Sequence, residues 1–280
     1  MLTGSCLCGT VQFQIDGAFD RMTHCHCSMC RKSHGAPFAT YATCAASQFA
    51  WTAGEDAIMR RESSPGFART FCRHCGSSLP AASERGVHVP TGCIDGDPGL
   101  RPSMHIFSDS AAPWHTIADT LPRHATWEVD SAETPAAQTT KSSTSNDVLR
   151  GSCLCGAIAF EVTETFAYVH NCHCSRCRKA RAAAHTSNAF TSIAGVRFTR
   201  GEDQIQVYKL LEAEFFSVAF CRQCGSGVPK KDVRRDVAVT PMSALDDDPQ
   251  RPVDRHIFMA SKASWYAPQD ALPTFDTRPD

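Results

Sequence analysis

Cys6-Leu7-Cys8-Gly9, Cys25-His26-Cys27-Ser28-Met29-Cys30 and Cys72-Arg73-His74-Cys75-Gly76 decide how this chain is read, because the same seven cysteines are written twice. They return as Cys153-Leu154-Cys155-Gly156, Cys172-His173-Cys174-Ser175-Arg176-Cys177 and Cys221-Arg222-Gln223-Cys224-Gly225. The first five repeat at an offset of 147 residues and the last two at 149. Fourteen of the sixteen cysteines belong to this pattern, so the 280 residues read as two metal-binding domains in tandem. Seven is one short of two tetrahedral sites. Each repeat can close one zinc with four thiolates and hold another with three, leaving a coordination position free.

Outward from the cysteines, the order of elements matches in both halves. Gly4-Ser5 precedes the alternating Val11 to Ile15, and Gly151-Ser152 precedes Ile158 to Val162; alternation after a glycine turn signals a strand. Phe67 to Phe71 and Phe215 to Phe220 are further strand candidates, each running into a C-x-x-C-Gly-Ser. Both halves close on a shared stretch, His105-Ile106-Phe107 to Trp114 and His256-Ile257-Phe258 to Trp265, at an offset of 151. Between the copies, Ser131 to Asp147 is mostly Ser, Thr, Ala and Pro, which reads as a flexible linker. The expected division is 1–130 for the first domain, 131–147 for the linker and 148–280 for the second. Long helical periodicity is scarce and Gly and Pro punctuate often, so the fold class is mainly β.

Composition narrows the function classes. With 28 basic and 29 acidic residues there is no broad electrostatic drive toward nucleic acid or anionic lipid. No apolar run reaches membrane-spanning length, and the motif beginning at Cys6 leaves no room for a signal peptide, so a cytoplasmic location is expected. Thiols stay reduced there, and an odd count of cysteines per repeat argues against a disulfide framework. Cys44 and Cys93 have no counterparts and read as small buried apolar residues. The basic clusters Arg31-Lys32 and Arg178-Lys179-Ala180-Arg181 read either as solvated loops or as anion-binding groups.

Spacing sorts the ligands. In C-x-C on an extended segment both sulfurs face one side, and in C-x-x-C-Gly the glycine permits the tight turn of a zinc knuckle. Cys6, Cys8, Cys72 and Cys75 therefore group as one structural four-thiolate site, and Cys153, Cys155, Cys221 and Cys224 as another. Cys25, Cys27 and Cys30 can cap one face of an ion, as can Cys172, Cys174 and Cys177. Three thiolates leave zinc with a formal charge of −1 and a weak hold on water, which favours thiol chemistry over hydrolysis. The rival is closure by a fourth protein ligand, with His26, His173 or His24 the nearest in sequence.

Taken together, these motifs resemble the family of glutathione-dependent formaldehyde-activating enzymes and centromere protein V, whose fold is called Mss4-like. The likeness runs through Gly4 to Gly9, Cys25 to Lys32, Phe71 to Ser77 and His105 to Trp114, and through their second copies, including Cys172 to Lys179 and Phe220 to Ser226. It implies several coiled β-sheets per domain, two zinc ions per domain and four per chain. It implies a structural ion on Cys6, Cys8, Cys72 and Cys75 and a catalytic one on Cys25, Cys27 and Cys30. The implied chemistry is carbon–sulfur lyase type: addition of glutathione to formaldehyde, giving S-hydroxymethylglutathione, with small-molecule thiol and aldehyde as partners. His26 or His34 is a candidate proton relay, and Arg31 or Lys32 a candidate holder of a substrate carboxylate. The second repeat departs from the pattern: Gly35 becomes Ala182 and Arg69 becomes Val218, so a lost glycine is expected to alter the backbone beside the second trio. The alternative function is a non-catalytic zinc module, duplicated to bind a partner protein through two similar faces.

Overall fold

The computed structural model describes residues 1–127 and 148–279; the expected linker, and residues 128–130 of the expected first domain, lie outside them. Strands form where alternation follows a glycine turn. Leu2–Ser5 and Gln12–Ile15 make a hairpin that pairs outward with Ile94–Asp95 and Phe49–Ala53. A second sheet orders His105–Ile106, Arg21–Cys25, Ala39–Cys44, Gly86–Pro90 and Ala81–Ser83, and a third carries Ile58–Ser64, Phe67–Cys72 and Ser78–Leu79. The second half repeats this plan with sheets of three, five and two strands. The chain is thus mainly β, built from several small sheets. Gly4 and Gly151 are required by packing: a methyl group there would lie 2.1 Å from the rings of Phe13 and Phe160. No helix among the described residues is long and apolar enough to cross a membrane.

The two halves are wrapped together about a pseudo-twofold relation. Among the described residues each carries one α-helix, α1 (Ser28–His34) and α2 (Ser175–Arg181), and each helix packs on the opposite half, at Met242–Ala244 and Thr91–Cys93 respectively. Lys32 donates to the Ser152 carbonyl (2.6 Å) and hydroxyl (2.9 Å) and to Asp246 (2.6 Å). Lys179 returns the contact to Ser5, the Cys93 carbonyl and Asp95. The closing stretches cross over. Trp265, only 4 % exposed, sits with Ala182, Ala184 and Ala263 in the core of the first half among Phe13, Ile15, Met22 and Phe38. Trp114 packs in turn on the second half's core around Phe160, Val169 and Met242. Each half therefore completes the other's interior, and that shared burial is hydrophobic stabilisation neither half could gain alone.

Three expectations change here. The basic clusters lie on helices rather than loops, seven-residue helices too short to leave a periodic signature in the sequence. Lys32 is committed to Ser152 and Asp246 across the interface rather than to a substrate carboxylate, and the Arg31 side chain turns back to donate to the His26 carbonyl. The glycine lost beside the second trio leaves the backbone unchanged: Gly35 has φ +59° and Ala182 keeps φ +50°. The left-handed conformation costs an alanine about 1 kcal/mol, and the Ala182 side chain is fully buried in the first half's core.

Candidate metal centres and pocket

Cys6 follows the first strand directly and its sulfur accepts from the Val11 amide, which bends the chain so that Cys8 turns back toward it. Gly76, at φ +72°, makes the corresponding knuckle after Cys72 and Cys75. The Ser77 hydroxyl accepts from the Leu7 amide and ties the two knuckles together. The four sulfurs Cys6, Cys8, Cys72 and Cys75 lie within 4.8 Å of one another, as do Cys153, Cys155, Cys221 and Cys224. Two edges are 3.4 and 3.7 Å in the first group and 3.5 and 3.8 Å in the second. A tetrahedron of sulfurs about 2.3 Å from zinc has edges of roughly 3.8 Å, so this donor set suits the ion. The C-x-C pairs sit in turns rather than on extended strands, and it is the turn that converges their sulfurs.

The trios are built differently. Cys25 ends a strand, Cys27 caps α1 and accepts from the Cys30 amide, and Cys30 lies in the first turn of the helix. A helix N-terminus favours thiolate. The sulfurs of Cys25, Cys27 and Cys30 gather within 4.8 Å, and those of Cys172, Cys174 and Cys177 do the same. Among the described residues no histidine or carboxylate joins either group. His26 points away: it donates through Nε2 to His105 Nδ1 (2.8 Å), which donates from Nε2 to Asp119 (2.8 Å). His173, His256 and Asp270 form the matching chain. His24 bonds to Thr40. All sixteen cysteines are free thiols, and Cys44 and Cys93 are buried in the first half's core as expected.

A cavity of about 160 Å³ opens on the first trio. Phe67, Phe107 and Trp127 give it an aromatic lining, with Phe67 stacked on Trp127 at 6.1 Å. Its inner wall carries groups that sequence reasoning did not place. Arg69 donates through Nη2 to Cys30 Sγ (3.5 Å) and through Nη1 to Tyr41 Oη (3.3 Å). Burial alone would push Arg69 down, but the neighbouring Cys30 and Tyr41 raise it above its ordinary value. Cys30 is held well below the usual thiol range, first by hydrogen bonds from Cys25 and Cys27 and further by Arg69. His34 is fully buried, with burial pushing it down to about 4, and bonds Tyr41 rather than solvent. The only sequence signal for Arg69 was its replacement by Val218 in the second repeat; Tyr41 left none.

Where the halves meet, imidazoles crowd together. Burial pushes His115 down to about 4 and His185 well below its ordinary value. The folded state keeps both neutral, whereas the unfolded chain takes up protons below about pH 6.5. Stability is therefore full above pH 6.5 and falls as pH drops toward 4, by about 1.4 kcal/mol per pH unit for each group. Below pH 4 the His115 contribution levels off. His115→Tyr, which installs the residue of the second repeat's Tyr266, should flatten this loss; melting curves of both proteins from pH 7.5 to 4 check it, and parallel curves would contradict the assignment.

A family model described as glutathione-dependent formaldehyde-activating enzyme matches residues 1–110 and again 148–261. A protein of Halomonas elongata bearing the name "Putative glutathione-dependent formaldehyde-activating enzyme" is 32% identical over 127 residues, covering 42% of this chain and 79% of that protein. A solved Rhodobacter sphaeroides structure is 26% identical with a TM-score of 0.29, over 35% of this chain and 87% of that one. With two matched segments spanning most of its length and the cysteine groups folded as described, this chain belongs to the glutathione-dependent formaldehyde-activating enzyme family.

Proposed function

We propose that the chain is a zinc enzyme of carbon–sulfur lyase type that joins a glutathione-like thiol to a small aldehyde such as formaldehyde. The observation that carries this reading is a buried trio of sulfurs, lacking a fourth protein ligand among the described residues, on the wall of a cavity open to a small molecule. Four ions per chain are expected, two on the four-sulfur groups and two on the trios. Cys25, Cys27 and Cys30 would hold a zinc ion, which when bound would supply the positive charge that keeps a nearby thiol as thiolate, the nucleophilic form of sulfur.

The surrounding residues supply the rest. Three thiolates and a dipositive ion leave one net negative charge, and an incoming thiolate would double it; the Arg69 guanidinium, bonded to Cys30, offsets that charge. The aromatic side chains lining the cavity would limit water around a bound aldehyde. In the addition the thiol proton leaves, a sulfur–carbon bond forms, the carbonyl π pair moves to oxygen, and a proton from solvent completes the hydroxyl. A duplicated, non-catalytic module would leave the Arg69–Tyr41 wall of this cavity without a use.

Cys27→Ala should lose one of four zinc ions and reduce catalysed formation of S-hydroxymethylglutathione by at least about 100-fold, measured against the spontaneous reaction. Parent-like rates in that variant would remove the site.

A further inference from the structure

The two trios are surrounded by different chemistry. Beside the first, the direction of each hydrogen bond is fixed by an acceptor in the other half. The Arg181 carbonyl can only accept, so His34 donates to it from Nδ1 (2.8 Å). The neutral ring then offers Nε2 as an acceptor, so Tyr41 donates its hydroxyl proton there (2.8 Å). Tyr41 oxygen is left to accept from Arg69, whose remaining arm reaches Cys30 and whose Nε donates to Ser63. One main-chain carbonyl of the second half thus sets the orientation of a chain of three side chains ending on a trio sulfur.

The second trio has none of this. In equivalent strand positions Asn188 replaces Tyr41 and Val218 replaces Arg69, and at the end of the helix Arg181 replaces His34. The Arg181 side chain does not take over: it donates to the Ala219 carbonyl (3.1 Å), leaves Nη1 without a partner, and lies over Gly35 of the first half. Cys174 and Cys177 are also half-buried, whereas Cys27 and Cys30 are buried. Arg178 lies within electrostatic reach of Cys174 and Lys230 of Cys177, but neither is hydrogen-bonded to a sulfur, so this trio lacks the bonded counter-charge that Arg69 gives the first.

We propose that thiol capture and aldehyde addition are confined to the first half, and that the second half acts as its positioning partner, the Arg181 carbonyl orienting His34, Tyr41 and Arg69 against the Cys25–Cys27–Cys30 trio. This rests on the trio being the thiol-binding site. The proposal assigns Arg69 as the residue that admits an anionic thiol, and Tyr41 and His34 as the residues that hold Arg69 in place.

The test uses the full chain loaded with cobalt in place of zinc, titrated with glutathione while sulfur-to-cobalt charge-transfer absorption is followed. One equivalent per chain is expected, and none in Cys27→Ala. Two equivalents in the parent, or one retained in Cys27→Ala, would overturn the division of labour. A spectrum blind to thiol in the parent would instead sink the enzyme reading beneath it. Arg69→Met should keep all four ions and weaken thiol binding about 10- to 100-fold, the worth of a hydrogen bond to a charged group. His34→Gln, which can still donate and accept, should stay within about threefold of the parent, while His34→Leu should approach Arg69→Met. Equal behaviour of the Gln and Leu variants would remove the positioning role, and a poorly folded Leu variant leaves Tyr41→Phe, with the same expected weakening, to decide the matter.

Discussion

Trp265→Ala is expected to destabilise the first half, although the residue belongs to the second. The indole is 4 % exposed and lies among Phe13, Ile15, Met22 and Phe38, which come from strands and loops more than 200 residues earlier in the chain. Truncating a buried tryptophan costs about 3–5 kcal/mol, a large share of the roughly 5–15 kcal/mol that holds a domain together. Trp114 is only partly buried on the second half's core, so Trp114→Ala should cost less. Urea denaturation gives the size of the effect and hydrogen exchange gives its place: protection should fall in Gln12–Ile15 and Ala39–Cys44. Loss restricted to the Arg255–Ile257 strand would show that the crossing contact contributes little.

Cys72→Ser should be more severe. Its sulfur is fully buried and belongs to the four-sulfur group that ties the first hairpin to the Phe67–Cys72 strand. Structural zinc in small domains supplies on the order of 10–16 kcal/mol toward folding, and a hydroxyl is a poor replacement for a thiolate ligand. Since the halves share their cores, the expected result is loss of cooperative melting for the whole chain, with metal content falling below three ions. Mild chelation of the parent should differ, drawing ions from the trios first and leaving the melt in place. A Cys72→Ser protein that melts like the parent would mean that this group is not a metal staple.

The cysteine groups were legible because ligand spacing is a local property, and the repeat at 147 and 149 residues showed which knuckles travel together. The strands after Gly4 and Gly151 were legible for the same reason, since alternation is written within five residues. The crossing of Trp114 and Trp265 was not: the repeat shows that the two tryptophans correspond, but either core would accept an indole. Lys32 and Lys179 read as solvent-facing because lysine usually is, and only the approach of the opposite half gives each its acceptors. Tyr41 and Arg69 come from different sheets, 28 positions apart in the chain, and no spacing rule joins them to Cys30.

Nothing in the seat of Trp265 requires that the indole and the pocket receiving it come from the same polypeptide. Refolded at high concentration, one molecule can seat its closing stretch in the next, and because this one-way insertion leaves an empty seat at one end and an unplaced stretch at the other, such joining can run on into open-ended polymers. Dilution during refolding should favour the closed, self-satisfied monomer.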